Sequence, residues 1–388
     1  MSYYVGIDVA KFKHDYAIIS SNGEVISRGT FNNDSSGFNT FKDSLDKLDH
    51  SQKIKIGLES TGHYHKNLVK FLSNSGNEVN VLNPYLVHKF IDSRTLRKSK
   101  TDKLDAMHIA SYLSTEDFKT YQEKLYNAES LKSLTRNRDK LVSKRSDELV
   151  IVTNCLDAIF PEFKKSFDGK LSKTALCLLY EYNTTEQIAN ITLSEIQDLK
   201  KKYKNLSLNK IITIRDQAKI TVGNPDAAKS FIMKQSISII FQLSENIDEY
   251  EEEIKKIMKE FDSKLLTIPG VGINSAAAII GEFNNFNGFP NADKLLAYAG
   301  MECSRYQSGT MDCYGHMVKR GSPHLRYVLM NLAIALKNHN SIFADYYLKK
   351  RNEGKHYRVA LTHVVRKFLR IAFKVVSSNE EFNIDNCK

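Results

Sequence analysis

The chain has 388 residues, enough for two or three domains, and its 41% hydrophobic and 26% charged residues are an ordinary globular balance. No apolar run approaches the roughly 20 residues of a membrane span. The start, MSYYVGIDVA, lacks a basic n-region and a cleavage site, and five scattered cysteines without a CxxC pair argue against a disulfide framework or a zinc site. The cytoplasm is therefore the expected compartment. The net charge is +11, and residues 301–388 alone hold 15 Lys/Arg against 7 Asp/Glu, which points to a polyanionic partner, most commonly a nucleic acid.

In chain order, YYVGIDVA, HDYAIIS and EVISRGTF read as strands, with Ser21, Asn22 and Gly23 turning between the last two. Residues 35–49 have helical spacing, with Phe38, Phe41, Leu45 and Leu48 on one face. KIKIGLES alternates as a strand ending at Glu59. Residues 64–75 read as a helix closed by Gly76, EVNVLN as a short strand, and Pro84 as the opening of another helix. A further helix spans 101–115, capped by Thr101 or Ser99. The order β-β-β-α-β-α-β-α-α predicts a mixed sheet covered by helices. The RNase H-like (RuvC-like) α/β fold has this order, as other α/β folds can.

From 118 to 262 the sequence is helical and charged. Ile240, Leu243, Ile247, Tyr250, Ile254, Ile257 and Phe261 form a heptad seam, which reads as a coiled coil that spaces domains or pairs protomers. The alternative is a helix packed on its own domain. At 266–281, LTIPGVGINSAAAIIG places a glycine turn before an Ala-rich helix, an arrangement that can cradle phosphate as helix-hairpin-helix modules do. The expected division is an RNase H/RuvC-like domain at 1–117, a helical coiled-coil segment at 118–262, a mainly α C-terminal domain at 263–378 and a tail at 379–388.

Four acids stand out. Asp8 lies within the first strand, Glu59 ends the fourth, and Asp102 and Asp105 share one face of the helix at 101–115. An acid inside a strand is costly unless paired or metal-bound. Hard oxygen ligands of this kind hold the Mg²⁺ ions that assist phosphodiester cleavage. His63 and His65 lie near Glu59 but are left out of the set as surface histidines. Near the other end, Ser304, Ser308 and Gly309 precede Lys319, Arg320 and Arg326. A serine followed by cations suits attack on a phosphate, which the cations would bind and stabilise. Alone, a Ser-Gly pair is only a turn.

Together, GIDVAK, LEST, Asn83-Pro84, SKTDKLDA, LLTIPGVG, LAYAG, QSG and KRGSPHLR, in this order across residues 5–330, resemble the insertion-sequence transposases that pair a DEDD RuvC-like domain with a C-terminal transposase domain, a group related to the Piv-type DNA invertases. Residues 118–262 add no matching motif. The resemblance implies that Asp8, Glu59, Asp102 and Asp105 are a metal-binding tetrad for Mg²⁺, with Mn²⁺ as a substitute. It implies that Ser308 is the nucleophile joined to DNA, with Ser304 a distant rival. It further implies double-stranded donor and target DNA as substrates, a structured noncoding bridge RNA as guide, a dimer or tetramer, and association with the nucleoid when active. The competing readings are a RuvC-like nuclease, such as a junction resolvase, whose C-terminal domain only binds DNA, and an inactive nucleic-acid-binding protein.

Overall fold

The computed structural model describes residues 2–49, 51–60, 64–82, 84–94, 102–115, 126–261, 263–284, 286–308 and 311–384. The chain forms two compact units, residues 1–124 and 125–388.

The first unit follows the predicted order: β1 (Ser2–Val9), β2 (Lys13–Ser20), β3 (Val25–Asn32), α1 (Ser35–Asp46), β4 (Lys53–Glu59), α2 (His65–Asn74), β5 (Glu78–Leu82), α3 (Pro84–Arg94) and α4 (Asp102–Leu113). The strands lie in the order β3-β2-β1-β4-β5, the first three antiparallel and the last three parallel, which is consistent with an RNase H-like domain. Alternation gives each sheet face its own helices. Val5, Ile7 and Val9 join Ile18, Ile56 and Leu58 beneath Phe38 and Phe41 of α1 and Leu68 and Leu72 of α2. Tyr4 on the other face packs with Ile109, Tyr112 and Leu113 of α4 and Val87 of α3. Asp34 caps α1 by accepting a hydrogen bond from Gly37 N at 2.7 Å. The expected caps of α4, Ser99 and Thr101, lie outside the described residues.

The second unit is helical: α5 (Tyr126–Ile159), α6 (Lys173–Glu181), α7 (Thr185–Ala189), α8 (Leu193–Lys202), α9 (Leu208–Lys219), α10 (Ala227–Met258), α11 (Ile273–Phe283) and α12 (Ala292–Tyr298). A hairpin of β6 (Cys303–Ser308) and β7 (Met311–Met317) follows, then α13 (Pro323–His339), α14 (Ser341–Asn352) and α15 (Tyr357–Ser378). Two cores hold it. One joins Val152 and Leu156 of α5 to α6–α9 and to Met233, Ile237 and Ile240 of α10. The other joins Leu131 of α5 and Ile254 and Met258 of α10 to α11–α15.

The 34-residue α5 and the 32-residue α10 therefore pack along each other. Ile240, Ile247 and Ile254 of the heptad seam are buried, and Arg138–Glu251 and Arg145–Ser244 contacts tie the same two helices. The seam finds its partner inside the chain, as the packed-helix alternative supposed. The expected boundary at 262/263 falls within this unit. At Gly281 a side-chain carbon would lie 2.6 Å from Lys132 N, so the glycine lets α11 press against the backbone of α5. The hairpin is an addition to a region whose sequence reads as mainly α.

Candidate active site

The first cluster of acids is built by the faces of the sheet. Gly6 touches α4 directly: a side-chain carbon there would be 2.1 Å from the Ala106 carbonyl oxygen and 2.3 Å from Ala110 N. Tyr4, two residues earlier on the same face, packs near the C-terminal end of α4. The strand therefore runs toward the N-terminus of α4 as it passes from Tyr4 through Gly6 to Asp8. That end carries Asp102 and Asp105. Glu59 shares this face with Gly57, which abuts Leu113 of α4. The parallel register Ile7↔Leu58 sets Glu59 beside Asp8. Topology thus directs Asp8, Glu59 and the first turn of α4 toward one end of one face.

Asp8, Glu59 and Asp105 are half-buried, while the side chain of Asp102 lies outside the described residues. Among the described residues, no group of three or more His, Cys, Asp or Glu is gathered closely enough to hold a metal ion. The donor chemistry nevertheless fits a hard divalent cation, because all four side chains offer carboxylate oxygens. A fifth carboxylate sharpens the point. Asp15 is directly opposite Asp8 in the antiparallel register and is only 4% exposed. It accepts a hydrogen bond from Thr30 Oγ1 at 2.6 Å, and Lys13 Nζ lies 4.0 Å away. Like charges directly across two strands destabilise each other, and a cation relieves that repulsion. The sequence signal for Asp15 was its place in HDYAIIS, on the alternate face that Ala17 and Ile19 bury. His63 lies outside the described residues, and His65 is the first residue of α2.

The second cluster is built around the hairpin. Ser308 ends β6 opposite Met311, next to the turn, and its side chain lies outside the described residues. Ser304 donates from Oγ to the His316 carbonyl oxygen across the hairpin at 3.3 Å. A side-chain carbon at Gly315 would meet that Oγ at 2.3 Å, so the Ser304 hydroxyl is held across the irregularity in the hairpin register. At the base, Val318 N donates to Glu302 O at 3.0 Å.

Two glycines lock this base. Gly300, with φ of 65°, would place a side-chain carbon 2.2 Å from the Arg320 carbonyl oxygen. Gly321, with φ of 120°, would place one 2.3 Å from the Tyr298 carbonyl oxygen. Each backbone is therefore closed to a side chain by the other. Between them Lys319, also left-handed at φ of 54°, and Arg320 are exposed in a tight turn. Arg326 braces this turn by donating from Nη1 to Gly321 O at 3.1 Å.

Behind the turn lies a charged hub that the sequence pattern does not reveal. Glu282 is 2% exposed in the otherwise apolar end of α11. Arg136 of α5 donates to it twice, Nε to Oε1 at 2.6 Å and an Nη to Oε2 at 3.0 Å. His324 of α13 joins Glu282 Oε1 through Nδ1 at 3.2 Å and Asp139 Oδ2 through Nε2 at 2.8 Å. Burial opposes ionisation of Glu282, but the His324 and Arg136 hydrogen bonds hold its pKa at about 2. Hydrogen bonds to Asp139 and Glu282 raise His324 to about 9 against the cost of burial. Its imidazolium thus donates from both nitrogens near neutral pH. A lone acid in INSAAAIIGEF was the available signal; its partners, 42 and 146 residues away, were not.

Residues 5–161 match a DEDD-type family described as Transposase, and residues 262–348 match the Transposase IS116/IS110/IS902 family. An uncharacterized 44.8 kDa protein of insertion element IS116 from Streptomyces clavuligerus is 22% identical, over 98% of this chain and 96% of its own. The pilin gene-inverting protein of Moraxella bovis is 22% identical over 98% of this chain and 97% of its own. The transposase for insertion sequence element IS1111A of Coxiella burnetii is 25% identical over 63% of this chain and 57% of its own. The acid-bearing sheet lies in the first matched region and the serine hairpin with its locked base in the second, so the chain carries regions similar to both domains of the IS110/IS116 transposases.

Proposed function

We propose that the protein is a site-specific DNA recombinase of a mobile element that cuts and rejoins strands through Ser308. The observation that carries this reading is the placement of Ser308 at the end of a hairpin whose base is locked beside the Lys319–Arg320 turn. The Ser308 hydroxyl attacks a phosphodiester phosphorus, losing its proton to a base, and the departing strand leaves as a protonated hydroxyl. The bond energy is kept in a phosphoserine ester. A free hydroxyl of the other DNA then attacks that ester, the new strand forms, and the serine regains its proton. Lys319 and Arg320, at the opposite end of the hairpin from Ser308, bind phosphates of the DNA backbone away from the scissile one. Asp8, Glu59, Asp102 and Asp105 would hold the divalent metal, Mg²⁺ with Mn²⁺ as substitute, which would supply charge neutralisation to a phosphodiester.

Donor and target duplexes are the substrates in this reading, and a structured noncoding RNA from the same element guides their pairing. The basic excess of residues 301–388 supports a polyanionic partner. The relatives named for transposition and pilin gene inversion support recombination as the outcome. The active form is a dimer or tetramer; because Ile247 and Ile254 already face inward, its pairing surface lies off the heptad seam. No described helix is long and apolar enough to cross a membrane. The reading places the protein in the cytoplasm, on the nucleoid when active.

The test is denaturing electrophoresis of protein incubated with Mg²⁺ and labelled DNA nicked near the cut site, followed by peptide mapping. The wild type should form an adduct on Ser308, and Ser308→Ala should lose both adduct and strand exchange while still binding DNA. An adduct on Ser304 would move the nucleophile. Cleavage by Ser308→Ala, with no adduct in the wild type, would favour a RuvC-like nuclease.

A further inference from the structure

The Glu282 hub takes no part in the chemistry proposed above, yet it lies directly behind the basic turn. Three helices meet in it. Arg136 and Asp139 come from α5, Glu282 from α11, and Ser322 and His324 from the start of α13. Glu251 of α10 extends it by pairing with Arg138, which also holds Asp139. The Tyr298 hydroxyl of the LAYAG segment donates to the Glu282 carbonyl oxygen at 3.2 Å. Ser322, the N-cap of α13, accepts from Leu325 N at 3.2 Å and from an Arg136 Nη at 3.3 Å. The LAYAG segment that closes against Gly321 and the start of α13 that follows it are thus tied to the same glutamate or to its partner.

We infer that His324 is a positioning residue for the Lys319–Arg320–Gly321 turn, because its two ring nitrogens bond Asp139 and Glu282 and so fix the start of α13 against α5 and α11. This inference rests on the reading of the turn as a phosphate contact. Buried ionic groups are weak stabilisers, since well-packed apolar side chains of similar volume often serve stability as well or better. What such groups add is direction. Each bond has a preferred line, and two bonds from one ring to two helices restrict how the start of α13 can tilt. The turn has little freedom of its own, with Lys319 and Gly321 both at positive φ and Gly321 closed against Tyr298. A tilt of α13 therefore moves the Lys319 and Arg320 side chains as a unit. Neither cation can hold a phosphate oxygen once it is displaced beyond hydrogen-bond reach.

The experiment is a double-mutant cycle on the full chain, with labelled duplex DNA titrated at several salt concentrations. K319Q with R320Q should weaken binding and reduce the slope of log affinity against log salt by roughly 0.9 for each phosphate no longer neutralised. H324Q alone should weaken binding by about tenfold, within the range of residues coupled through one network, and should also lower the slope. In the K319Q/R320Q background H324Q should add little, because the group it positions is gone. D139A cuts one arm of the bridge; it should act in the same direction more mildly, and it carries the cycle if H324Q does not fold. Circular dichroism and thermal melting identify the folded variants. If K319Q/R320Q binds as wild type does, the reading of the turn fails and the positioning role fails with it. If K319Q/R320Q weakens binding but the His324 effect is absent, or equal in both backgrounds, the positioning role alone is overturned.

Discussion

Gly6 and Ala106 meet backbone to backbone, with room for a hydrogen but not for a methyl group, since a side-chain carbon on Gly6 would come within 2.1 Å of the Ala106 carbonyl oxygen. This contact seats α4 across β1 and aims its acidic first turn along the strand toward Asp8. Gly6→Ala must push the helix off the sheet. The expected cost is about 3 kcal/mol, at the upper end for overpacking a close interface. Calorimetric titration with Mn²⁺ should show weakened metal binding in whatever fraction stays folded. An unchanged melting temperature with unchanged Mn²⁺ affinity would contradict the arrangement.

Asp8→Asn removes a ligand charge and keeps the side-chain shape. DNA cleavage should fall to background while the far-ultraviolet spectrum and melting profile stay near wild type. Cleavage at the wild-type rate would remove Asp8 from the metal-binding set.

Asp15→Asn makes a different prediction. The amide can still accept from Thr30, but the charge opposite Asp8 is gone. In EDTA the variant should melt higher than wild type, by up to about 1 kcal/mol of added stability. With saturating Mn²⁺ the order should narrow or reverse. If Asp15→Asn melts lower in EDTA, the two acids do not repel each other appreciably.

The sheet of the first unit was legible because its first three strands are rich in β-branched and aromatic residues and KIKIGLES alternates. Val5, Ile7 and Val9 bury one face, and Tyr4 and Gly6 meet α4 on the other. The hairpin at 303–317 was not legible. CSRYQS and MDCYGHM have no alternating apolar face, and their pairing is fixed by interlocked glycines at the base, which no periodicity reports. The heptad seam was legible as a pattern, but its partner was not. A seam specifies that something apolar covers it, and α5 lies about a hundred residues away along the chain. Asp8 stood out as an acid within the first strand and Glu59 as the end of the fourth, whereas Asp15 and Glu282 emerge only when neighbouring elements are assembled around them.

Because the seam is covered from within, charging it should unfold rather than only dissociate. Ile247→Asp with Ile254→Asp should cost several kcal/mol, from about 3 upward, as two buried apolar side chains become unpaired acids. The measurement is chemical denaturation at two protein concentrations, with light scattering alongside. A variant that keeps wild-type stability and merely becomes a smaller oligomer would return the seam to a contact between protomers.

The hub also sets a pH profile. His324 is raised to about 9 from an ordinary value near 6.5, so its stabilising contribution is complete below 6.5 and is lost as pH rises through 9. Glu282 is depressed to about 2 from near 4.5, so its contribution is complete above 4.5 and is lost as pH falls toward 2. The two windows overlap between 4.5 and 6.5. Unfolding followed from about pH 5 to 10 should show wild-type stability declining on the alkaline side, by a contribution on the order of 2 kcal/mol from His324. His324→Gln should be less stable near pH 6 and should show a shallower alkaline decline. Parallel curves for the two proteins would place the ionisation elsewhere.

The locked base of the hairpin makes residues 303–317 a cassette. The hairpin closes at the Val318–Glu302 hydrogen bond, and Gly300 and Gly321 hold the two ends by close backbone approach, while Cys303 Sγ accepts from Arg366 Nη1 at 3.7 Å and Met317 packs on the core beneath. With Cys303 and Met317 kept, the rest of the strands can thus change in sequence without reshaping the fold beneath. A chimera that exchanges only this stretch with a relative's hairpin, while keeping both glycines, Cys303 and Met317, has natural joints at Glu302 and Val318. In such a graft the serine travels with its own strands, and the cationic turn stays with the host.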